Sequence, residues 1–213
     1  MATQKLLILG TWMLALEVAD LAADAGFEIS GFVENLDPER CVEPLEGLPV
    51  HWIDDAAAFA GTHLAVCALG TTHRYRFVEQ AARLGFRFAT VVHPSARIST
   101  RSRVGEGAIV SAGAVIAAYS SIGRHVLLNR GVLIGHHTEI GDYVSIQPGA
   151  NVAGVCTIGE RAFVAMGAVV IDHVKVGAGS IVGAGAVVTK DVPEKVQVVG
   201  VPARVVKENV EAR

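Results

Sequence analysis

The stretch RVGEGAIVSAGAVIAAYSSIGRHVLLNRGVLIGHHTEIGDYVSIQPGANVAGVCTIG, residues 103–159, decides the architecture of this chain. Read in steps of six, it places an aliphatic side chain at Val104, Val110, Ile116, Ile122, Leu128, Ile134, Ile140, Ile146, Val152 and Ile158. The same period extends outward to Ile98 on one side and Val188 on the other, sixteen consecutive positions without a miss or an insertion. Four residues after each stands a small or β-branched residue, as at Ala108, Ala114, Ser120, Thr138, Cys156, Ser180 and Ala186. One inward aliphatic residue per hexad describes a coil with three flat faces, one hexad to a face and eighteen residues to a turn. At a strand spacing of about 4.8 Å the column is roughly 25 Å tall. Glycine often follows the aliphatic residue directly, as at Gly105, Gly123, Gly135 and Gly141, and is expected to ease each corner through a positive φ.

Residues 1–91 have a different rhythm. KLLILG reads as a buried strand ending at Gly10, and residues 12–25 carry Leu14, Val18 and Leu21 at helical spacing. EISGFVEN, LPVHWID and LAVCALG are further strands, residues 74–84 are helical, and FRFATVVHP leads into the coil. Strands alternating with helices imply a small, parallel, Rossmann-like α/β domain over 1–91, followed by the coil over 92–192. Residues 193–213 form a tail expected to end in a short helix through VVKENV.

Composition narrows the function. A net charge of −3 with 18% charged residues and no basic run argues against nucleic acid and anionic lipid as partners. Cys41, Cys67 and Cys156 are odd in number and lack CxxC spacing, which fits a reducing compartment better than a disulfide framework or a zinc ribbon. The N-terminus lacks an adequate signal-peptide core, and no run approaches the roughly 18–20 apolar residues a membrane span needs. A cytoplasmic protein is the expectation.

Five segments carry a more specific signal: GFVEN at 31–35, ALGTTHRYRF at 68–77, HPSARIS at 93–99, NRGVLIGHHTEIGD at 129–142 and GVPARVV at 200–206. With the α/β unit placed before an uninterrupted coil, they resemble the bacterial sugar O- and N-acetyltransferases of the sialic-acid O-acetyltransferase type, including the N-acetyltransferases for nucleotide-linked amino sugars. The resemblance covers nearly the whole chain. It implies a left-handed β-helix, a homotrimer with active sites between neighbouring coils, acetyl-CoA lying along the coil, and an acceptor sugar held by the N-terminal domain. It also implies an acyl-CoA-dependent acyltransferase in which no metal takes part.

Acyl transfer from a thioester needs a base for the acceptor's proton and a grip on the pantetheine arm. His136 matches the family's catalytic histidine and is the expected general base. His137 stands where relatives carry an acidic residue, so either Glu139 or Asp142 orients His136, or the base works without a fixed negative charge. His137 could instead contact substrate. On the acceptor side, Gly10, Thr11, Trp12, Glu34, Asn35, Gly70, Thr71 and Asn129 match family positions, although the turn Gly10-Thr11-Trp12-Met13-Leu14 lacks the later glycines that wrap a pyrophosphate. On the cofactor side the matches are Ser145, Gly154, Met166, Gly167, Ala184, Gly185, Lys190, Pro202 and Arg204; Ser145 replaces a second family histidine. Of the other histidines, His51 and His63 read as surface residues, His93 as structural, and His125 and His173 as solvated corner residues.

Other readings stay open. The acceptor could be a non-sugar amine or alcohol, or the donor a longer acyl-CoA. His136, His137 and His173 could serve a γ-carbonic-anhydrase-like zinc site, against which the α/β domain and GVPAR argue. A non-catalytic trimeric scaffold is the last alternative.

Overall fold

A computed structural model describes residues 3–212. The N-terminal unit runs β1 (Lys5–Leu9), α1 (Met13–Asp24), β2 (Glu28–Glu34), β3 (Val50–Trp52), α2 (Ile53–Ala56), β4 (Leu64–Cys67), α3 (Tyr75–Arg83) and β5 (Arg87–Phe88). Its strands pair in parallel in the order β3-β2-β1-β4-β5, the Rossmann-like arrangement. Alternate residues of β1 enter different cores, as pleating requires. Leu6 and Ile8 pack with Val18 and Leu21 of α1, while Leu7 and Leu9 pack with Phe77 and Val78 of α3.

The apolar run expected as the last strand divides in two. Arg87–Phe88 closes the α/β sheet, and Val91–Val92 opens the coil by pairing with Ile109–Val110. From there the chain is a left-handed parallel β-helix of two-residue strands. Each strand pairs with the one eighteen residues on, so Val115↔Leu133, Leu133↔Asn151 and Asn151↔Val169 form one column. The inward residues form a continuous core in which Val110, Leu128, Ile146, Val152, Ile158, Val164, Val170 and Val182 are fully buried. Truncating Leu128, Ile146 or Ile158 to alanine costs about 2–5 kcal/mol, because the stacked coils above and below limit collapse of the gap.

The glycines after the aliphatic residues serve another purpose than the one expected. None of Gly105, Gly123, Gly135, Gly141, Gly159, Gly177 or Gly183 has a positive φ. They are small because coils stack there in close contact: a Cβ on Gly135 would lie 2.4 Å from the carbonyl carbon of Ala153, and one on Gly177 would lie 2.4 Å from the amide nitrogen of Glu194. The left-handed residue comes two positions later. At one corner it is glycine (113, 131, 149, 167 and 185), but at the other two it is mostly a residue with a side chain, including Tyr119, His137, Val155 and His173. Those corners are where function can be written.

The tail is also corrected. Val205, Val206 and Lys207, expected within a helix through VVKENV, belong to a strand, Arg204–Lys207, antiparallel to Gln197–Val199. The free edge of the last coil offers unpaired backbone groups, and the β-branched pair Val205-Val206 answers it.

One coil face carries the N-terminal unit. Ile109 and Leu127 project outward from that face and are buried with α1 and β1 in a shared cluster. His93 Nε2 lies 3.2 Å from the Asp24 carboxylate of α1, so the residue expected to be structural links the two parts. The docking also buries His125, which the sequence left solvated: it is 6% exposed, stacked on Tyr143 with ring centroids 5.2 Å apart and in edge contact with Phe88. Burial, then the nearby Arg74 charge, pushes its imidazole down to about 4.

Candidate active site

His136 and His137 occupy an exposed corner of the coil. His137 has φ 55° and its ring packs on Tyr119, one turn below, at a centroid separation of 4.9 Å. The two imidazoles stand edge to face, with His136 Nδ1 and His137 Nδ1 3.1 Å apart. One nitrogen of such a pair donates and the other accepts. For His136 Nε2 to be free to take a proton, His136 Nδ1 must donate and His137 Nδ1 must accept. His137 therefore does by hydrogen bonding part of what a carboxylate would do, without the charge.

Neither carboxylate considered for this role reaches His136. Asp142 is occupied by Arg124, whose backbone N–H, Nε and Nη2 all donate to it within 3.0 Å. Glu139 lies exposed on the adjoining face and makes no hydrogen bond to His136 among the described residues. Gly154, one turn above, explains the position of the ring: a Cβ there would sit 2.8 Å from His136 Cε1 and 2.9 Å from Nε2. His136 lies across the bare backbone of Gly154, so this glycine, expected to receive pantetheine, seats the imidazole.

The expected acceptor residues meet at the C-terminal ends of β1, β2 and β4. Gly10 has φ 121° and its N–H donates to the Val33 carbonyl, fixing the turn before α1. The Thr11 hydroxyl donates to one Glu34 carboxylate oxygen, while the other accepts the N–H groups of Asn35 and Leu36. Burial pushes that carboxyl up, but the bonds from Thr11, Leu36 and Asn35 outweigh it and hold the group below the usual range. Asn35 Nδ2 donates to Gln80. Trp12, by contrast, is 62% exposed. Asn129 is buried elsewhere, at a coil corner, and its side-chain oxygen accepts from Arg130.

Gly70 and Thr71 lie on the loop after β4, which the sequence reading did not connect to its anchor. Arg74 is 2% exposed and paired with no carboxylate among the described residues. Its Nε donates to the His125 carbonyl, Nη2 to the Val144 carbonyl, and Nη1 to both the Thr71 carbonyl and Ser145 Oγ, all within 2.8 Å. Burial pushes this guanidinium down to about 10. Ser145, expected beside the cofactor, is instead fully buried beneath this clamp and donates to the Gly70 carbonyl.

The remaining cofactor-side residues are exposed along the upper coils. Met166 is 59% exposed beside Gly167, whose N–H donates to Pro148, and Gly185, one turn above, donates to the Met166 carbonyl. Ala184, Lys190, Pro202 and Arg204 are also exposed, with Pro202 and Arg204 in the hairpin that closes the last coil. A cavity of about 460 Å³ lies between Ala165, Ala184, Ile181 and the returning tail.

A family model for the bacterial transferase hexapeptide, of six repeats, matches residues 119–154 and 156–190. A perosamine N-acetyltransferase from Caulobacter crescentus, solved as a histidine-to-asparagine mutant in complex with CoA and GDP-perosamine, is 34% identical. The match covers 96% of this chain and 97% of that one, with a TM-score of 0.89. The chain belongs to the hexapeptide-repeat sugar acetyltransferases. The acetyltransferase domain of PglB from Neisseria gonorrhoeae, in complex with acetyl coenzyme A, is 30% identical to this acetyltransferase, covering 96% and 100% of the two chains at a TM-score of 0.89. WeeI from Acinetobacter baumannii is 28% identical over 96% and 100%, with a TM-score of 0.86. No match was found among curated proteins.

Among the described residues of the acetyltransferase, no three His, Cys, Asp or Glu side chains come together to hold a metal, and His173 stands exposed beside Asp172. Nor is any helix there long and apolar enough to cross a membrane. Arg74 and the seating role of Gly154 escaped the sequence reading. Gly154 had a readable signal, since it lies one eighteen-residue turn after His136.

Proposed function

We propose that this acetyltransferase moves the acetyl group of acetyl-CoA onto the amine or hydroxyl of a nucleotide-linked sugar, with His136 as general base, in a homotrimer. The observation that carries the reading is the exposed His136 ring, seated on Gly154 and held through Nδ1 by His137. The acceptor heteroatom attacks the thioester carbonyl carbon and its proton passes to His136 Nε2. The tetrahedral intermediate then collapses, the carbon–sulfur bond breaks, and the sulfur leaves with the proton returned by His136. An amine suits this base better than an alkoxide-forming hydroxyl, because His137 lends orientation but no negative charge.

Acetyl-CoA as donor is supported by the CoA and acetyl-CoA complexes of the relatives, and a nucleotide-linked acceptor by the GDP-perosamine complex. Exposed Met166, Gly167, Ala184, Gly185, Lys190, Pro202 and Arg204 form the surface offered to the cofactor. Trimer formation is supported by the column Val115, Leu133, Asn151, Val169 and Val187, apolar but for Asn151, which projects from a coil face that the N-terminal unit leaves bare. Thiol release from acetyl-CoA, screened against UDP-, GDP- and dTDP-linked amino sugars and free amino sugars, tests the reading. His136→Asn should abolish release with an accepted substrate; wild-type rates in that variant would end the proposal.

A further inference from the structure

The acceptor turn has lost the backbone cradle of its fold but gained a pair of side chains. Trp12 is the last residue before α1, in extended conformation and without a side-chain cap on the helix. The Arg40 guanidinium lies 3.8 Å over its ring. Arg40 Nη1 donates to the carbonyl and hydroxyl oxygens of Thr11, at 3.3 and 3.2 Å, which locks the guanidinium to the turn. Its Nε faces the Asp37 carboxylate at 3.7 Å, and Nη2 has no protein partner among the described residues. Leu36 is 84% and Val42 79% exposed on the loop that carries Arg40, and Met13 is 84% exposed beside Trp12. Glu34, whose position at the end of β2 would ordinarily read a ribose diol, has both oxygens occupied from within.

We infer that Trp12 and Arg40 bind the nucleoside diphosphate of the acceptor by side chains: the base stacks on the open face of Trp12, and a phosphate takes the free edge of Arg40. This rests on the proposed nucleotide-linked acceptor and adds how it is held. A guanidinium flattened against an aromatic ring is weakly hydrated and keeps its donors in the ring plane, aimed outward for an anion. Stacking of a base on an exposed aromatic ring tolerates many bases, and its loss costs about tenfold or more in affinity. Glu34 is buried with both oxygens engaged inside the chain, one by Thr11 and the other by the Asn35 and Leu36 N–H groups, so base stacking and phosphate charge dominate.

The test is binding of UDP, GDP and dTDP to the full chain, followed by tryptophan fluorescence and calorimetry, with inorganic pyrophosphate in parallel. Wild type should bind all three nucleotides with quenching of emission, and pyrophosphate more weakly. Trp12→Phe should remove most of the quenching, whereas Trp12→Ala and Arg40→Gln should each weaken binding about tenfold or more. Arg40→Lys, which keeps the charge but loses the fork, should fall between. In turnover, both losses should raise the acceptor KM and leave the acetyl-CoA KM unmoved. Wild-type nucleotide affinity in Trp12→Ala and Arg40→Gln would overturn the inference, as would wild-type protein that binds no nucleotide while acetylating free amino sugars. If no acceptor supports thiol release, the binding measurements still decide this site.

Discussion

Replacing Gly154 with alanine separates two roles that the sequence cannot distinguish. The added Cβ would stand 2.8 Å from His136 Cε1, 2.9 Å from Nε2 and 3.2 Å from Nδ1. Carbon atoms settle about 3.5–4.0 Å apart, so the ring must withdraw by about 0.7 Å or more. It is free to do so, because His136 is exposed and Gly154 does not use the left-handed region that would strain alanine. The coil should therefore remain folded, with a stability change under about 1 kcal/mol. A displacement approaching 1 Å in a catalytic group can cost about a hundredfold in rate. Gly154→Ala should accordingly lower kcat by about 10- to 100-fold while the acetyl-CoA KM holds. Steady-state thiol release on a confirmed acceptor, paired with thermal unfolding, is the measurement. An unchanged kcat with a raised acetyl-CoA KM would refute the seating argument and return Gly154 to the cofactor.

Arg74→Met should destabilise the chain by about 1.5–3 kcal/mol in urea unfolding, since it leaves the His125 carbonyl without its donor and takes a charged donor from the Val144 and Thr71 carbonyls and from Ser145 Oγ. A loss under 1 kcal/mol would show that the clamp contributes little. His125 predicts an acid-sensitive slope. Its folded value of about 4 lies below the unfolded value of about 6.5, so its contribution is complete above pH 6.5 and lost as pH falls toward 4. The loss is about 3 kcal/mol across that window, and His125→Phe should flatten the pH dependence of the urea midpoint; an identical slope in both proteins would contradict it. His137→Glu should keep the hydrogen bond to His136 and add the missing charge, raising kcat on hydroxyl acceptors more than on amines, as parallel turnover on matched substrates would reveal.

The coil was legible because each hexad repeats the same demand: one aliphatic residue inward and one small residue beside it. The role of the glycines was not, because the Cβ clash at Gly135 arises against a turn eighteen residues away. His125 was misjudged for a related reason. Its corner is exposed in an isolated coil and buried only when Phe88 and the N-terminal unit dock. VVKENV has weak helical character, and the open edge beside Val198 and Val199 wins. In the candidate site, His136 and His137 stood out through the resemblance to relatives, whereas Arg74 joins three of its four partners across 51 to 71 residues, which no local pattern marks.

The uninterrupted eighteen-residue period also makes the coil a ruler. His136, Gly154 and Asp172 stand at identical points of successive turns, so Asp172 lies two strand spacings, about 10 Å, along the axis from the base. That distance changes by whole turns, and the one corner that is two residues short, between Val188 and Val192, comes only in the last coil, where Val192 pairs with Val176. The reach from the base to the upper coils is thus quantised in steps of about 4.8 Å, and a relative with one more turn would present those coils to a longer thioester arm without altering a single corner.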